Sequence, residues 1–255
     1  MTLGPDELAR YARHIVLPEI GGAGQLRLRR ARVAVVGAGG IGSPVLHYLA
    51  AAGVGRLDVI DDDRVDASNL QRQTLYTTDD LGVPKAQAAA TALARLNPHV
   101  EVVPHVTRLG RDEAGALIDG ADAVIDGSDN FDTRLAVADA SLARRVALVS
   151  AAVGRFEGQI GVFRGWEADR PCYRCFVGAA PQRDGLTCAE EGVLGPVTGV
   201  VGSLAALEVI RQIAPFGDDS AGKLVLIDLL ALRFRTLSLP KDPGCPACGA
   251  PATAG

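Results

Sequence analysis

No sign of charge dominates this chain of 255 residues: 26 Lys and Arg stand against 30 Asp and Glu, for a formal net charge of -4 at pH 7. The charges are interspersed, so no basic surface is available to hold a phosphate backbone. Nucleic acid is therefore excluded as the main partner, and any polyphosphate ligand must rely on a few local cations. Cysteine is scarce. Five residues are too few for a disulfide scaffold, and four of them form two C-x-x-C pairs, which in a reducing compartment read as metal binding. No apolar stretch approaches the roughly 18 residues that a bilayer span requires, and Met1 to Arg10 lacks the charged-then-apolar layout of a secretory signal. A cytoplasmic protein without membrane contact is expected. Internal repeats, low-complexity tracts and a convincing linker are also missing, so residues 1–255 read as a single domain.

What is present is apolar sequence in the right amounts and periods. With 48% hydrophobic residues the chain can bury a sizeable core. Residues 7–15 and 22–30 carry apolar side chains at helical spacing, so residues 1–30 read as a helical leader. Residues 32–37 are a short β-branched run of the kind buried on both faces of a parallel sheet, followed by a helix over 41–52 that Gly53 closes. Further strands are predicted at 56–61, 100–104, 122–126 and 146–150, with helices at 85–96 and 131–143. This βαβ rhythm defines a nucleotide-binding half, 31–150, of α/β class: a Rossmann-like, doubly wound, mainly parallel sheet. After Ser150 the rhythm changes. Strands at 159–164 and 223–229, separated by a loop-rich span and an apolar helix over 196–213, predict an antiparallel extension in 151–255.

The run Gly37-Ala38-Gly39-Gly40-Ile41-Gly42 satisfies G-x-G-x-x-G between a strand and a helix, where small residues let the backbone approach phosphates at a helix N-terminus. Asp61, 19 residues after Gly42, ends the second strand, where a carboxylate accepts hydrogen bonds from ribose hydroxyls. NAD, FAD and ATP all satisfy these two features. The stretch that follows narrows the choice, because it runs through Asp63 and Ser68-Asn69-Leu70-Gln71-Arg72-Gln73 to Lys85. An NAD dehydrogenase has no need of it, whereas the planar fork of Arg72 and the point charge of Lys85 suit the β- and γ-phosphates of ATP. Asp126-Gly127-Ser128-Asp129-Asn130 follows the fourth predicted strand, at the carboxyl edge where ligands of open sheets gather. Asp129 is the candidate Mg²⁺ ligand, and Asn130 is either a nucleotide contact or the N-cap of the next helix.

Cys172-x-x-Cys175 and Cys245-x-x-Cys248 make a set of four thiolates with two short bites, suited to tetrahedral Zn²⁺. Four protein ligands leave no open position for water, so the zinc is expected to be structural, tying the C-terminal tail to the middle of the chain, far from the phosphate site.

Together these residues resemble the MoeB/ThiF family of adenylyltransferases, relatives of the ubiquitin-activating enzymes. The landmarks are Arg10-Tyr11-Ala12-Arg13-His14-Ile15, Val36 to Gly42, Ala52-Gly53-Val54-Gly55, Ser68 to Gln73, Gly82-Val83-Pro84-Lys85, Ser128-Asp129-Asn130, Pro171 to Cys175 and Cys245 to Cys248. They run over nearly the whole chain. The resemblance implies ATP-dependent adenylation of the C-terminal glycine of a small ubiquitin-like sulfur-carrier protein ending in Gly-Gly, for molybdenum cofactor, thiamine or tRNA thiolation. It implies that Asp61 contacts the ribose, that Ser68 to Arg72 and Lys85 hold the phosphates, and that Asp129 and Asn130 serve Mg²⁺ and nucleotide. It further implies that Arg13 reaches into the other subunit of a homodimer. Ala12, His14 and Asp62 depart from the commoner residues and bear on substrate preference. A catalytically silent paralogue would have lost Asp129, Arg72 or Arg13, and all three are present. An NAD oxidoreductase would need a hydride-transfer site, and none stands out. The chain ends six residues after Gly249, so a separate sulfur donor, a cysteine desulfurase or rhodanese, is expected. The fifth cysteine, Cys188, matches a family position that joins covalently to the carrier in some members. It is the candidate thioester or acyl-persulfide site, although Glu190 and Glu191 beside it oppose a thiolate.

Overall fold

The computed structural model describes residues 2–178 and 192–249. In the first half, strands β1 (Arg32–Val36), β2 (Arg56–Ile60), β3 (Glu101–His105), β4 (Ala123–Asp126) and β5 (Ala147–Gly154) alternate with helices α4 (Gly42–Ala52), α5 (Lys85–Leu96), α6 (Arg111–Ile118) and α7 (Phe131–Arg144). A leader of α1 (Pro5–Arg10), α2 (Ala12–Ile15) and α3 (Gly21–Arg30) precedes them. Strand β6 (Glu157–Phe163), helices α8 (Tyr173–Val177) and α9 (Gly195–Ile213), and strands β7 (Lys223–Asp228) and β8 (Arg233–Ser238) follow.

The described residues form an eight-stranded sheet in the order β3-β2-β1-β4-β5-β6-β7-β8. Pairings from β3 through β5 are parallel, and those from β5 through β8 antiparallel. The expected doubly wound sheet with an antiparallel extension is therefore present. Alternate residues of β1 explain why both faces are covered: Val33 and Val35 join a core with α4, α5 and α9, whereas Ala34 and Val36 join one with α6 and α7.

Four boundaries and elements depart from the sequence reading. The leader helix breaks at Tyr11, whose buried hydroxyl is drawn inward to accept from Asn97 Nδ2 at 2.8 Å. Helix α6 is hidden in the sequence by its length of eight residues and by Gly115 inside it. Strand β8 is hidden because all six of its residues are exposed, which leaves no apolar alternation to read. Finally, α9 is, by length and composition, apolar enough to cross a membrane, contrary to the expectation that no stretch comes near. It packs against α4, β5 and β6, where Val197, Val201, Ala205 and Val209 are buried.

The register that builds the site is pinned by a charged cluster under the sheet. Asp58, in β2, has a fully buried side chain that meets Arg32 at 2.6 Å, Arg56 at 2.9 Å and His105 Nε2 at 2.9 Å, joining β1, β2 and β3. Burial alone would raise its pKa, but the hydrogen bonds from Arg56, Arg32 and His105 outweigh it and hold Asp58 at about 2. A depressed carboxylate stabilises the fold above its unfolded pKa of about 4, and the contribution is lost as pH falls towards 2. The shift is worth roughly 2 kcal/mol. Asp58→Asn is expected to be less stable than wild type in urea at pH 7, with the gap narrowing as pH falls from 4 to 2. A gap independent of pH would contradict the assignment.

Candidate active site

The β1–α4 turn begins at Gly37, where φ is +85° and a Cβ would stand 3.2 Å from the backbone of Gly127 and Ser128. A Cβ on Gly42 would lie 2.0 Å from the Gly37 carbonyl oxygen. Only glycine at both positions lets this turn close against the start of α4 and touch the turn that follows β4. A cavity of about 460 Å³ opens there, at the carboxyl edge of the parallel strands. Gly37, Gly39 and Gly40 line it, with the N-terminal end of α4 behind them, so the walls offer backbone N–H groups and a positive helix end to an anion. Gly42 contributes through packing.

Asp61 lines the cavity and is locked in orientation, its two oxygens accepting from Ala38 N at 2.7 Å and Asp63 N at 2.9 Å. Burial raises its pKa, against the pull of Lys85 and the two backbone donors. Each oxygen retains a lone pair, which suits a ribose diol. Lys85, the first residue of α5, is only 5% exposed and reaches Asp63 Oδ2 at 2.7 Å. Asp63 is exposed, and it too lines the cavity.

The segment 68–72 is divided by the fold. Asn69 and Arg72 line the cavity, along with Gln73. Asn69 Oδ1 accepts from Arg72 Nη2 at 3.0 Å and Gln73 Nε2 at 2.9 Å, and Arg72 Nη1 donates to Ser68 O at 3.2 Å. The guanidinium is therefore held from two sides. Ser68 supports it through its carbonyl, Leu70 packs on the core, and Gln71 is exposed. None of these three lines the cavity.

Asp129 and Asn130 form the far wall. Asp129 is exposed to the cavity. Asn130 is the N-cap of α7, accepting from Thr133 N at 2.9 Å, so the N-cap reading holds for its oxygen. Sequence reasoning misses Arg134 and Tyr173, both buried in this wall. Arg134 is hidden inside a helical pattern. Its one signal is a cation placed where α7 presents its buried side.

Asp129 is an exposed carboxylate of the cavity wall that makes no ion pair among the described residues, unlike Asp63 with Lys85, and such a group suits Mg²⁺, which takes most of its oxygens from phosphates and water. Asp126 does not suit it, because Oδ1 already accepts from Ser128 N at 3.0 Å and Ser128 Oγ at 2.6 Å while Oδ2 faces Arg134 at 3.6 Å. Arg13 is exposed on α2 and does not line the cavity of its own chain. Cys188 lies outside the described residues.

The four remaining cysteines converge, with all Sγ atoms within 4.8 Å of one another. Cys172 stands 3.8 Å from Cys175 and 3.5 Å from Cys245, and Cys175 stands 3.4 Å from Cys248. Tetrahedral zinc with Zn–S bonds of about 2.3 Å places sulfurs about 3.8 Å apart, so the set fits zinc. Cys245 is held at about 7, because the backbone N–H groups of Ala247 and Cys248 overcome the effect of burial. Burial pushes the Cys172 and Cys248 thiols the other way, so one thiol of the crowded set ionises ahead of its neighbours.

A glycine turn at a helix start, an oriented carboxylate after the second strand and several cations make an anion-receiving cleft at the carboxyl edge of an α/β sheet. The chain belongs to the ThiF family, whose model matches residues 11–247. It is 46% identical over 248 residues to a sulfur carrier protein adenylyltransferase of Thermus thermophilus, covering 96% of this chain and 92% of that protein. It is 42% identical over 247 residues to a molybdopterin-synthase adenylyltransferase of Salmonella typhimurium, covering 97% and 98%. The crystal structure of E. coli MccB shares the fold, with a TM-score of 0.82 at 22% identity over 98% of this chain and 74% of that one.

Proposed function

We propose that this chain is an ATP-dependent adenylyltransferase whose acceptor is the C-terminal glycine carboxylate of a small ubiquitin-like sulfur-carrier protein. The observation that carries the reading is one cavity lined by a glycine turn, by the cations Arg72, Lys85 and Arg134, and by the carboxylates Asp61 and Asp129. A carboxylate oxygen of the carrier attacks the α-phosphorus of ATP, the bond to the bridging oxygen breaks, and pyrophosphate leaves, giving an acyl-adenylate. The attacking group is already ionised at neutral pH, so no general base is needed. What the chain supplies is in-line placement and neutralisation of charge that develops on the phosphate oxygens. Asp61 fixes the ribose, the glycine turn receives phosphate oxygens, and Arg72 and Lys85 take the departing pyrophosphate, Lys85 exchanging Asp63 for it. Mg²⁺ held by Asp129 would add further charge neutralisation.

A groove of about 420 Å³ leads into this cavity. It is lined by Gly154, Gly158, Leu226, Asp228 and Arg235, and shares Ala152, Val153 and Gln159 with the cavity. Gly154 and Gly158 add no side chains to its lining, Gly158 because a Cβ there would stand 2.4 Å from Val201 of α9, and a narrow groove of this kind suits a thin Gly-Gly tail. At its outer end Leu230, Leu232 and Phe234 are exposed beside Arg233 and Arg235 on the edge strand β8. Such a surface fits a carrier with an apolar patch rimmed by acidic groups. The enzyme works as a cytoplasmic homodimer, Arg13 of one copy completing the cavity of the other, and a desulfurase or rhodanese activity supplies the sulfur.

The test is exchange of labelled pyrophosphate into ATP with purified small Gly-Gly proteins. Exchange is expected with one or more intact carriers and none with the same carriers lacking the last glycine. No exchange with any carrier, in protein that binds ATP, would replace this reading with that of a silent binding paralogue.

A further inference from the structure

The sequence places the cysteine knot far from the phosphate site. In the fold, the residue next to its first ligand is part of the cavity wall. Cys172 is buried and is the N-cap of α8, and Tyr173, the first residue of that helix, is 4% exposed and lines the cavity. Its ring is fixed edge-on against Phe163, with centroids 5.4 Å apart, and its phenol shares the cavity wall with Arg134, within reach of that guanidinium's charge. Helix α8 is anchored further by Arg174, which binds Asp139 of α7 at 2.6 and 2.7 Å. The knot, the helix and the phenol therefore move as one piece.

Arg134 then carries the connection to the turn that holds Asp129. From α7 it donates to the Ser128 carbonyl, to Ala151 O at 3.1 Å and to Ser150 Oγ at 3.4 Å, and it lies 3.6 Å from Asp126. Asp126 in turn binds the N–H and hydroxyl of Ser128. The peptide groups on both sides of Ser128 are thus held by one buried ion pair, and Asp129 is the next residue. Asp129 is exposed and takes its direction from the backbone on either side, from Ser128 in this clamp and from Asn130 at the N-cap of α7.

We propose that Tyr173 and Arg134 are positioning residues that couple the Cys172-Cys175-Cys245-Cys248 knot to the Asp129 turn, so that an ordered knot is a condition for a correctly placed carboxylate. The inference rests on the proposed role of Asp129, which Asp129→Ala tests by activity. The coupling is read instead by hydrogen exchange, so the two fail separately.

The experiment compares zinc-loaded wild type, Tyr173→Phe and Arg134→Lys. Tyr173→Phe keeps the ring and its packing and removes only the hydroxyl. Zinc per chain is expected to match wild type, backbone amides of residues 127–130 to exchange faster, and those of β1 to be unchanged. In pyrophosphate exchange, kcat is expected to fall roughly tenfold with KM for ATP within about twofold, since misplacement costs the transition state more than ground-state binding. Arg134→Lys, which cannot span four partners, is expected to fall further. In wild type stripped by a chelator, amides 127–130 are expected to lose the same protection while β1 keeps its own, and stripping Tyr173→Phe is expected to add little. Should stripping also expose β1, the zinc-loaded variants decide. Unchanged exchange at 127–130 in Tyr173→Phe, uniform loss of protection through the chain, loss of zinc by that variant, or an equal effect of stripping on both proteins would each overturn the coupling.

Discussion

Asp129→Ala is expected to lower pyrophosphate exchange by roughly 10³-fold or more while the protein stays folded, because one preorganised charged group at the reacting phosphates is worth about that much. The two halves of this expectation have separate causes. Asp129 is exposed, and Arg134, the buried cation that feels its charge, is held by Asp126, Ser128 and Ala151. Removing the Asp129 carboxylate therefore leaves no buried cation without a partner, and an exposed substitution of this kind shifts stability by only about 0.5 kcal/mol. Asp126→Ala is the instructive contrast. There the lost carboxylate is buried, and Arg134 is left beside it uncompensated, so that protein is expected to lose stability along with activity. Thermal melts and exchange assays on both variants separate the cases. Undiminished exchange by folded Asp129→Ala would remove Asp129, and with it the Mg²⁺ assignment, from the mechanism.

Much of this site is legible in the amino-acid sequence because its parts follow strands. Gly37 to Gly42, Asp61 and Asp129 all sit just past the carboxyl end of a short apolar run, and the run itself announces a buried parallel strand. Lys85 is legible for a related reason, as the first residue of a strongly periodic helix. The segment 68–72 is less so. Motif spacing shows that a stretch stays together, but not which side chains face inward, and a tight turn sends Asn69 and Arg72 to the cavity while Gln71 points to solvent. Arg134 and Tyr173 escape notice because burial of a cation or phenol depends on partners distant in sequence, here Asp126, Ser150 and Ala151. Strand β8 escapes because it is exposed throughout, and the apolar length of α9 escapes because its small residues, Gly, Ala and Ser, interrupt the bulky ones along the run.

Arg13→Ala is expected to be inactive alone and to regain part of its activity when mixed with inactive Asp129→Ala. The leader is rigidly mounted: Asn97 Nδ2 donates to Tyr11 and to Ala50 O at 2.7 Å, and Gln25 Nε2 donates to Ala52 O at 2.8 Å, so α2 cannot swing towards its own cavity without breaking buried hydrogen bonds. Arg13 is exposed there, clear of the cavity that its own chain forms. In the proposed homodimer, a guanidinium so placed serves the cavity of the second copy. A mixed dimer of the two variants holds one site lacking both groups and one site with Arg13 and Asp129 both intact. Random exchange of equal amounts places half of the dimers in that mixed form, so the mixture is expected to recover about a quarter of the wild-type rate per subunit, as follows from one working site in two. Subunit exchange is followed independently with two affinity tags. Verified mixed dimers with no recovered activity would show that each chain uses its own arginine, and would return Arg13 to the surface of the leader.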